Sequence, residues 1–165
     1  FQTRTIRDDL VNEGLIQKNL NPSMPKVAVY GLENLKVWWE RNNIPFEQKR
    51  IIVCEGPIDA IRARGVAPLG SSITKPQLEK IISAAPCEVI LAMDMDVAGV
   101  RGTMKLVDSF SKKVPFRIAI YPTKDVGELG RDQIEQRVIG DAIPWGMGAK
   151  ALLFRRAMEE ERNHV

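Results

Sequence analysis

Apolar residues in this chain fall into short unbroken runs separated by stretches of helical spacing, and the alternation becomes regular from Arg50 onward. Ile51-Ile52-Val53-Cys54 and Val89-Ile90-Leu91-Ala92-Met93 are continuous apolar runs, the mark of strands covered on both faces. Phe116 to Tyr121 reads as another strand, and Val66-Ala67-Pro68-Leu69 as a shorter one. Predicted helices lie between and after them: Ile58 to Arg64, Thr74 to about Ala84, about Ala98 to Lys112, and Glu128 to Ile139. The second of these opens on Thr74-Lys75-Pro76-Gln77, a capping-box form with Thr74 as cap. The third sets Val100, Met104, Val107 and Ser111 at helical spacing on its inward face. Strands alternating with helices predict an α/β domain with a mainly parallel central sheet and right-handed crossovers.

The flanks break this rhythm. Residues 1–26 are polar and irregular, with Asn21-Pro22-Ser23-Met24-Pro25 reading as a loop. Val27-Ala28-Val29-Tyr30 precedes Gly31 and a helical pattern through Leu32, Leu35 and Trp38, which puts Trp38 in the core. Asn42-Asn43-Ile44-Pro45 stops that helix, and residues 42–49 form the expected boundary. Ile143-Pro144-Trp145-Gly146 reads as a break before a terminal helix from Ala149 to Arg162, which packs on the domain or links to a next one. The expected division is 1–46, 47–140 and 141–165.

Composition narrows the chemistry. Of 165 residues, 44% are hydrophobic and 27% charged, enough apolar surface for a sizeable core. Lys and Arg exceed Asp and Glu by 24 − 21 = 3, a mild basic balance that permits a polyanionic partner. No stretch reaches the roughly 18 apolar residues of a membrane span, and no signal peptide opens the chain. Phe1 in place of Met suggests a piece of a longer protein. Two cysteines, Cys54 and Cys87, make neither a disulfide framework nor a zinc site, which suits the cytoplasm. With a single histidine, His164, catalytic triads and His-rich metal centres drop out. The chemistry is left to carboxylates.

Acidic residues recur where strands end. Glu55 follows the strand 51–54, Asp94 and Asp96 follow 89–93, and Asp125 lies four residues past Tyr121. In an open parallel sheet, ligands bind at the carboxyl edge of the strands. If the strands are neighbours, the acids converge on one edge, and Asp59, one helical turn beyond Glu55, leans towards it. Crowded carboxylates suppress one another's ionisation unless a cation compensates. All-oxygen donors favour Mg²⁺, with Mn²⁺ as a substitute, and point to phosphoryl or nucleotidyl transfer or to phosphodiester cleavage. Two of the acids also have structural readings, Asp59 as a first-turn acid and Asp125 as a partner of Lys124, but strand-end placement repeated three times outweighs them. Arg101, Lys105, Asp108 and Lys112 form a charged helical stripe, read as solvated surface, of which Arg101 lies closest to the acidic edge and can meet a phosphate. Gly70-Ser71-Ser72 is either a phosphate-facing loop or a plain turn. Cys54 reads as an inert small hydrophobe.

Four motifs stand in order: Glu55-Gly56-Pro57-Ile58-Asp59-Ala60, Leu69-Gly70-Ser71-Ser72-Ile73-Thr74, Asp94-Met95-Asp96-Val97-Ala98-Gly99 and Lys124-Asp125-Val126-Gly127-Glu128. Together they resemble the Toprim domain, in particular that of bacterial- and phage-type DNA primases, over about residues 50–140. Phe1-Gln2-Thr3-Arg4 and Leu20-Asn21-Pro22, followed by Tyr30-Gly31-Leu32-Glu33, weakly resemble the segment that precedes Toprim in such primases. The resemblance implies Glu55, Asp94 and Asp96 as catalytic residues. It implies Asp59 and Asp125 as further ligands of Mg²⁺, and Lys124 as a phosphate contact. Val126 and Gly127 depart from the family's acidic loop, where a proline and a second aspartate are usual, and Met95 replaces a common glycine. The implied activity is primer synthesis, with nucleoside triphosphates, a single-stranded DNA template and a replicative helicase as partners. A Toprim nuclease using the same metals, and a non-catalytic metal- or nucleic-acid-binding module, remain as alternatives.

Overall fold

In the computed structural model, β1 (Thr3–Arg4) pairs antiparallel with β2 (Asn19–Leu20). The structure describes residues 3–4, 19–20, 27–68, 73–93, 97–121 and 126–163, with backbone alone at 3–4, 19–20, 97–103 and parts of the last helix. The main sheet has the order β3-β4-β5-β6. In it β3 (Arg50–Cys54), β4 (Glu88–Ala92) and β5 (Phe116–Ile118) run parallel, as the continuous apolar runs require. The last strand, β6 (Ile143–Pro144), runs antiparallel to β5. The expected break at 143–146 is therefore a strand in its first half. Its proline is tolerated because an edge strand needs no second ladder donor.

Successive residues of a strand face opposite sides, and here both sides are covered. Ile51, Val53, Val89, Leu91, Phe116 and Ile118 pack with residues of α1 (Leu32–Arg41), α3 (Lys75–Ser83), α4 (Val97–Phe110) and α6 (Met147–Asn163). Ile52, Cys54, Ile90 and Ala92 face the other way. They pack with Ala60 and Ala63 of α2 (Pro57–Ala63) and with Ile134 and Val138 of α5. Helix α5 is Arg131–Gln133 continued as a π-helical stretch, Ile134–Gly140. The result is a three-layer α/β/α fold. Cys54 is buried among these side chains, and burial pushes the half-buried Cys87 thiol above its ordinary value.

The capping box at Thr74 forms as its spacing predicts. Helix α6 also packs on the domain, with Ala149 and Leu153 in the core shared with β3 and β4. Other expectations shift. Trp39 is 4% exposed and Trp38 45%, because α1 turns Leu32, Leu35 and Trp39 inward at i, i+3 and i+7. On α4, Phe110 and Val107 are buried while Ser111 lies exposed beyond the helix end. Val66 and Ala67 make only isolated bridges, Val66 parallel to Val53 and Ala67 antiparallel to Tyr30, so no full strand forms there. These bridges stitch the segment before α1 to the sheet edge. Gly65 makes the approach possible, since a Cβ there would lie 2.2 Å from the Ile52 carbonyl oxygen. Gly31 starts α1 at φ +80°, a left-handed conformation that side chains resist.

Candidate metal and nucleotide site

Glu55 is the first residue beyond β3, and its position follows from the buried apolar strand that ends at Cys54. Gly56 then caps α2 in extended conformation, Pro57 takes the first helical position with its fixed φ, and Asp59 falls in the first turn. Ala60 and Ala63 are the face α2 buries, and their small side chains bring the helix close to β3. Ile58 and Ile61 point outward, at 70% and 62% exposure. The Asp59 carboxylate folds back over the cap: a Cβ on Gly56 would lie 3.0 Å from its Oδ2. Glu55 and Asp59 are both half-buried, and each has further interactions.

The remaining acids are located by connectivity alone. Asp94 and Asp96 belong to the connection between Met93, after β4, and Val97, the first residue of α4, and they lie outside the described residues. Asp125 and Lys124 follow Tyr121 in residues 122–125, also outside them. Arg101 is on α4, with its side chain outside the description. The sheet order does meet the condition for convergence. Strands β3, β4 and β5 are adjacent and parallel, so all three acidic connections leave from one edge. Adjacent strands are only about 4.8 Å apart, within reach of neighbouring carboxylates. Among the described residues no group of three or more His, Cys, Asp or Glu side chains gathers around a metal position. The described donors, Glu55 and Asp59, are hard oxygen ligands without thiolate or imidazole, and they fit Mg²⁺.

The acidic loop is anchored at its C-terminal end. Val126 and Leu129 are buried with Ile134 and Ala60 beneath the sheet, and Glu128 sits between them in a short 3₁₀ turn, Val126–Glu128. Valine in place of proline at 126 thus fills core volume. Tyr121 is buried, in keeping with a structural role.

At the opposite, amino edge of the sheet one carboxylate sits between two guanidinium groups. Glu88 lies 3.2 Å from Arg50 Nε and 3.6 Å from Arg117 Nη1, spanning β3, β4 and β5. Arg117 also donates to the carbonyl of Ala142 at 2.6 and 3.1 Å. Two polar residues do more than their spacing foretells. Gln77 reaches carbonyls far from its own cap, and Asp108 anchors α6; neither role has a local sequence signal.

The chain is similar to known proteins in the same region. A family model described as Toprim-like matches residues 52–129. No curated protein sequence matches the chain. A crystal structure of a DNA primase domain from Pseudomonas aeruginosa superposes with a TM-score of 0.64 at 22% identity, over 87% of this chain and 47% of that one. The zinc-binding and RNA polymerase domains of the Aquifex aeolicus primase give 0.66 at 21% identity, over 96% of this chain and 43% of that one. At these identities the likeness is one of fold, and the chain spans less than half the length of either structure.

Proposed function

Since residues 52–129 form a Toprim-like domain on the fold of bacterial primase domains, we propose that this chain is the catalytic core of a DNA primase. It would carry out Mg²⁺-dependent nucleotidyl transfer, joining ribonucleotides into short primers on single-stranded DNA. The observation that carries the reading is the adjacency of three parallel strands, β3, β4 and β5, each followed by an acidic connection. In this reading residues 1–46 are the N-terminal subdomain of the core, 47–140 the catalytic domain and 141–165 a helical extension.

Glu55, Asp59, Asp94, Asp96 and Asp125 would hold Mg²⁺ or Mn²⁺, which when bound offsets the negative charge of triphosphate oxygens and favours loss of the hydroxyl proton. Glu55 stands at the strand end as a ligand or as the acceptor of that proton on a carboxylate oxygen. Lys124 and Arg101 would meet phosphate oxygens and orient the triphosphate. Val126 and Leu129, packed beneath the sheet, would keep the C-terminal end of the acidic loop fixed. A single-stranded DNA template belongs to the same reading, and the chain's basic excess of 24 − 21 = 3 permits such a polyanion. A replicative helicase partner and a cytoplasmic setting belong to the proposal. Among the described residues no helix is long and apolar enough to cross a membrane.

The test is primer synthesis on single-stranded DNA with Glu55→Gln and Asp94→Asn. Both variants should lose Mg²⁺-dependent synthesis by at least about a hundredfold while keeping the native circular dichroism spectrum. Full activity in either sinks the assignment. Metal-dependent strand cleavage without nucleoside triphosphates would reassign the site to a nuclease.

A further inference from the structure

Among the described residues Gln77 alone is polar and buried, at 4% exposure. A buried primary amide has two donors and an acceptor oxygen to satisfy, and any left unmade costs free energy. All are used here. Oε1 accepts from the Thr74 N–H and the Thr74 hydroxyl, both at 2.9 Å, which completes the capping box. Nε2 donates to the Ala28 carbonyl at 2.8 Å and to the Pro68 carbonyl at 2.6 Å.

Capping alone would be served equally by glutamate, the other usual residue at this position of a capping box. What glutamine adds is the pair of donors, and these grip two remote segments, 49 and 9 residues away. Ala28 leads into Tyr30, whose N–H and carbonyl pair with Ala67 at 2.8 and 3.1 Å. Val66 lies parallel to Val53, and its carbonyl accepts from the Cys54 N–H at 2.9 Å. Cys54 is the residue before Glu55, and Pro68 follows Val66 by two residues. One side chain therefore ties the start of α3, the segment before α1 and the chain that bridges to the end of β3.

We propose that Gln77 is a positioning residue for the Glu55 edge. Its amide holds Ala28 and Pro68 at fixed depth beside the strand end, so that the edge presents one outline to an incoming nucleoside triphosphate. For its activity readout the proposal rests on the nucleotidyl-transfer reading above. Loss of the two donors loosens binding of the triphosphate while Glu55, just beyond β3, and Asp59, on α2, keep their places.

Gln77→Glu keeps the volume and the cap but sets a carboxylate oxygen against two carbonyls. In the full chain, its KM and its dissociation constant for ATP should rise about tenfold, with kcat within about twofold of the parent. Amide exchange at Tyr30 and Ala67 should quicken by at least about tenfold. Gln77→Met, which lacks the donors and carries no charge, should also loosen ATP binding and quicken exchange, with the cap lost in addition. Ile81→Val, on the same helix but facing the core, should lower the melting temperature and leave ATP binding and exchange unchanged. Unchanged exchange or unchanged ATP binding in Gln77→Glu overturns the proposal, as does an equal loss of binding in Ile81→Val. If the parent chain makes no primers, the nucleotidyl-transfer reading fails, and ATP binding with exchange still decides the role of Gln77.

Discussion

The indole N–H of Trp145 donates to the Asp108 carboxylate over 2.8 Å, joining residues 37 apart in the chain. The other carboxylate oxygen accepts from Lys150 at 2.7 Å, and the Lys150 ammonium lies 5.3 Å from the centre of the Trp145 ring. Asp108 is on α4 and Lys150 on α6, so the three side chains latch the terminal helix onto the helix that begins just after Asp94 and Asp96. The charged stripe of α4 is thus more than solvated surface.

Asp108→Asn should weaken this latch by about 1 kcal/mol or less, because the carboxylate is half exposed and its ion pair is screened. The Lys150 and Trp145 hydrogen bonds hold the Asp108 carboxyl below its ordinary value. Glu33, bonded to Lys36 and near Lys80 of α3, is shifted the same way. A carboxyl depressed in the folded state adds stability that is present above its unfolded value and lost as pH falls through the folded one. Thermal melts of the parent should therefore decline as pH drops below roughly 4, and Asp108→Asn should flatten part of that decline.

The two neighbouring tryptophans should separate cleanly in denaturant. Trp39→Ala empties a buried core position and should cost about 3–5 kcal/mol. Trp38→Ala, on the exposed side of α1, should cost under about 1 kcal/mol. Urea titrations followed by circular dichroism measure both, and equal losses would contradict the rotation of α1 described above.

At Gly65 the backbone of the sheet edge passes too close to Ile52 for any side chain. Gly65→Ala should destabilise by about 2–3 kcal/mol through overpacking against the Ile52 carbonyl. The same titrations check it, and a neutral result would mean that Val66 does not pair with β3 as described.

Gly56→Ala probes the carboxylate itself. The position has φ −106°, open to alanine, so the fold should survive. The new methyl would crowd Asp59 Oδ2 at 3.0 Å and turn the carboxylate away from the strand end. The Mg²⁺ concentration needed for half-maximal primer synthesis should rise about tenfold, with melting temperature nearly unchanged. An unaltered Mg²⁺ requirement would argue that Asp59 serves only as a first-turn acid of α2.

Much of the fold is legible in the order of the residues. The runs 51–54 and 89–93 mark buried strands because every residue in them is apolar, and both faces are indeed covered. Thr74-x-x-Gln77 announces a helix start because the cap is a contact among four consecutive residues. Helix α2 is less legible. Its isoleucines at 58 and 61 are the residues a hydrophobic pattern would bury, yet α2 buries Ala60 and Ala63, since only small side chains allow it so near β3. The edge strand β6 is hidden in the sequence because two residues, one of them proline, carry no periodicity.

The sequence by itself determined the order of the four motifs, the acids that follow three of the strands, the scarcity of histidine and cysteine, and the α/β alternation. All of these are properties of adjacent residues. Only the tertiary structure decided that β3, β4 and β5 are neighbours, which makes one edge out of three separate acidic connections. It also decided which tryptophan is buried, which carbonyls take the Gln77 amide, and what Asp108 holds. Those depend on contacts between segments that are not neighbours in the chain, where local spacing carries no information and the packing of helices on the sheet selects the partners.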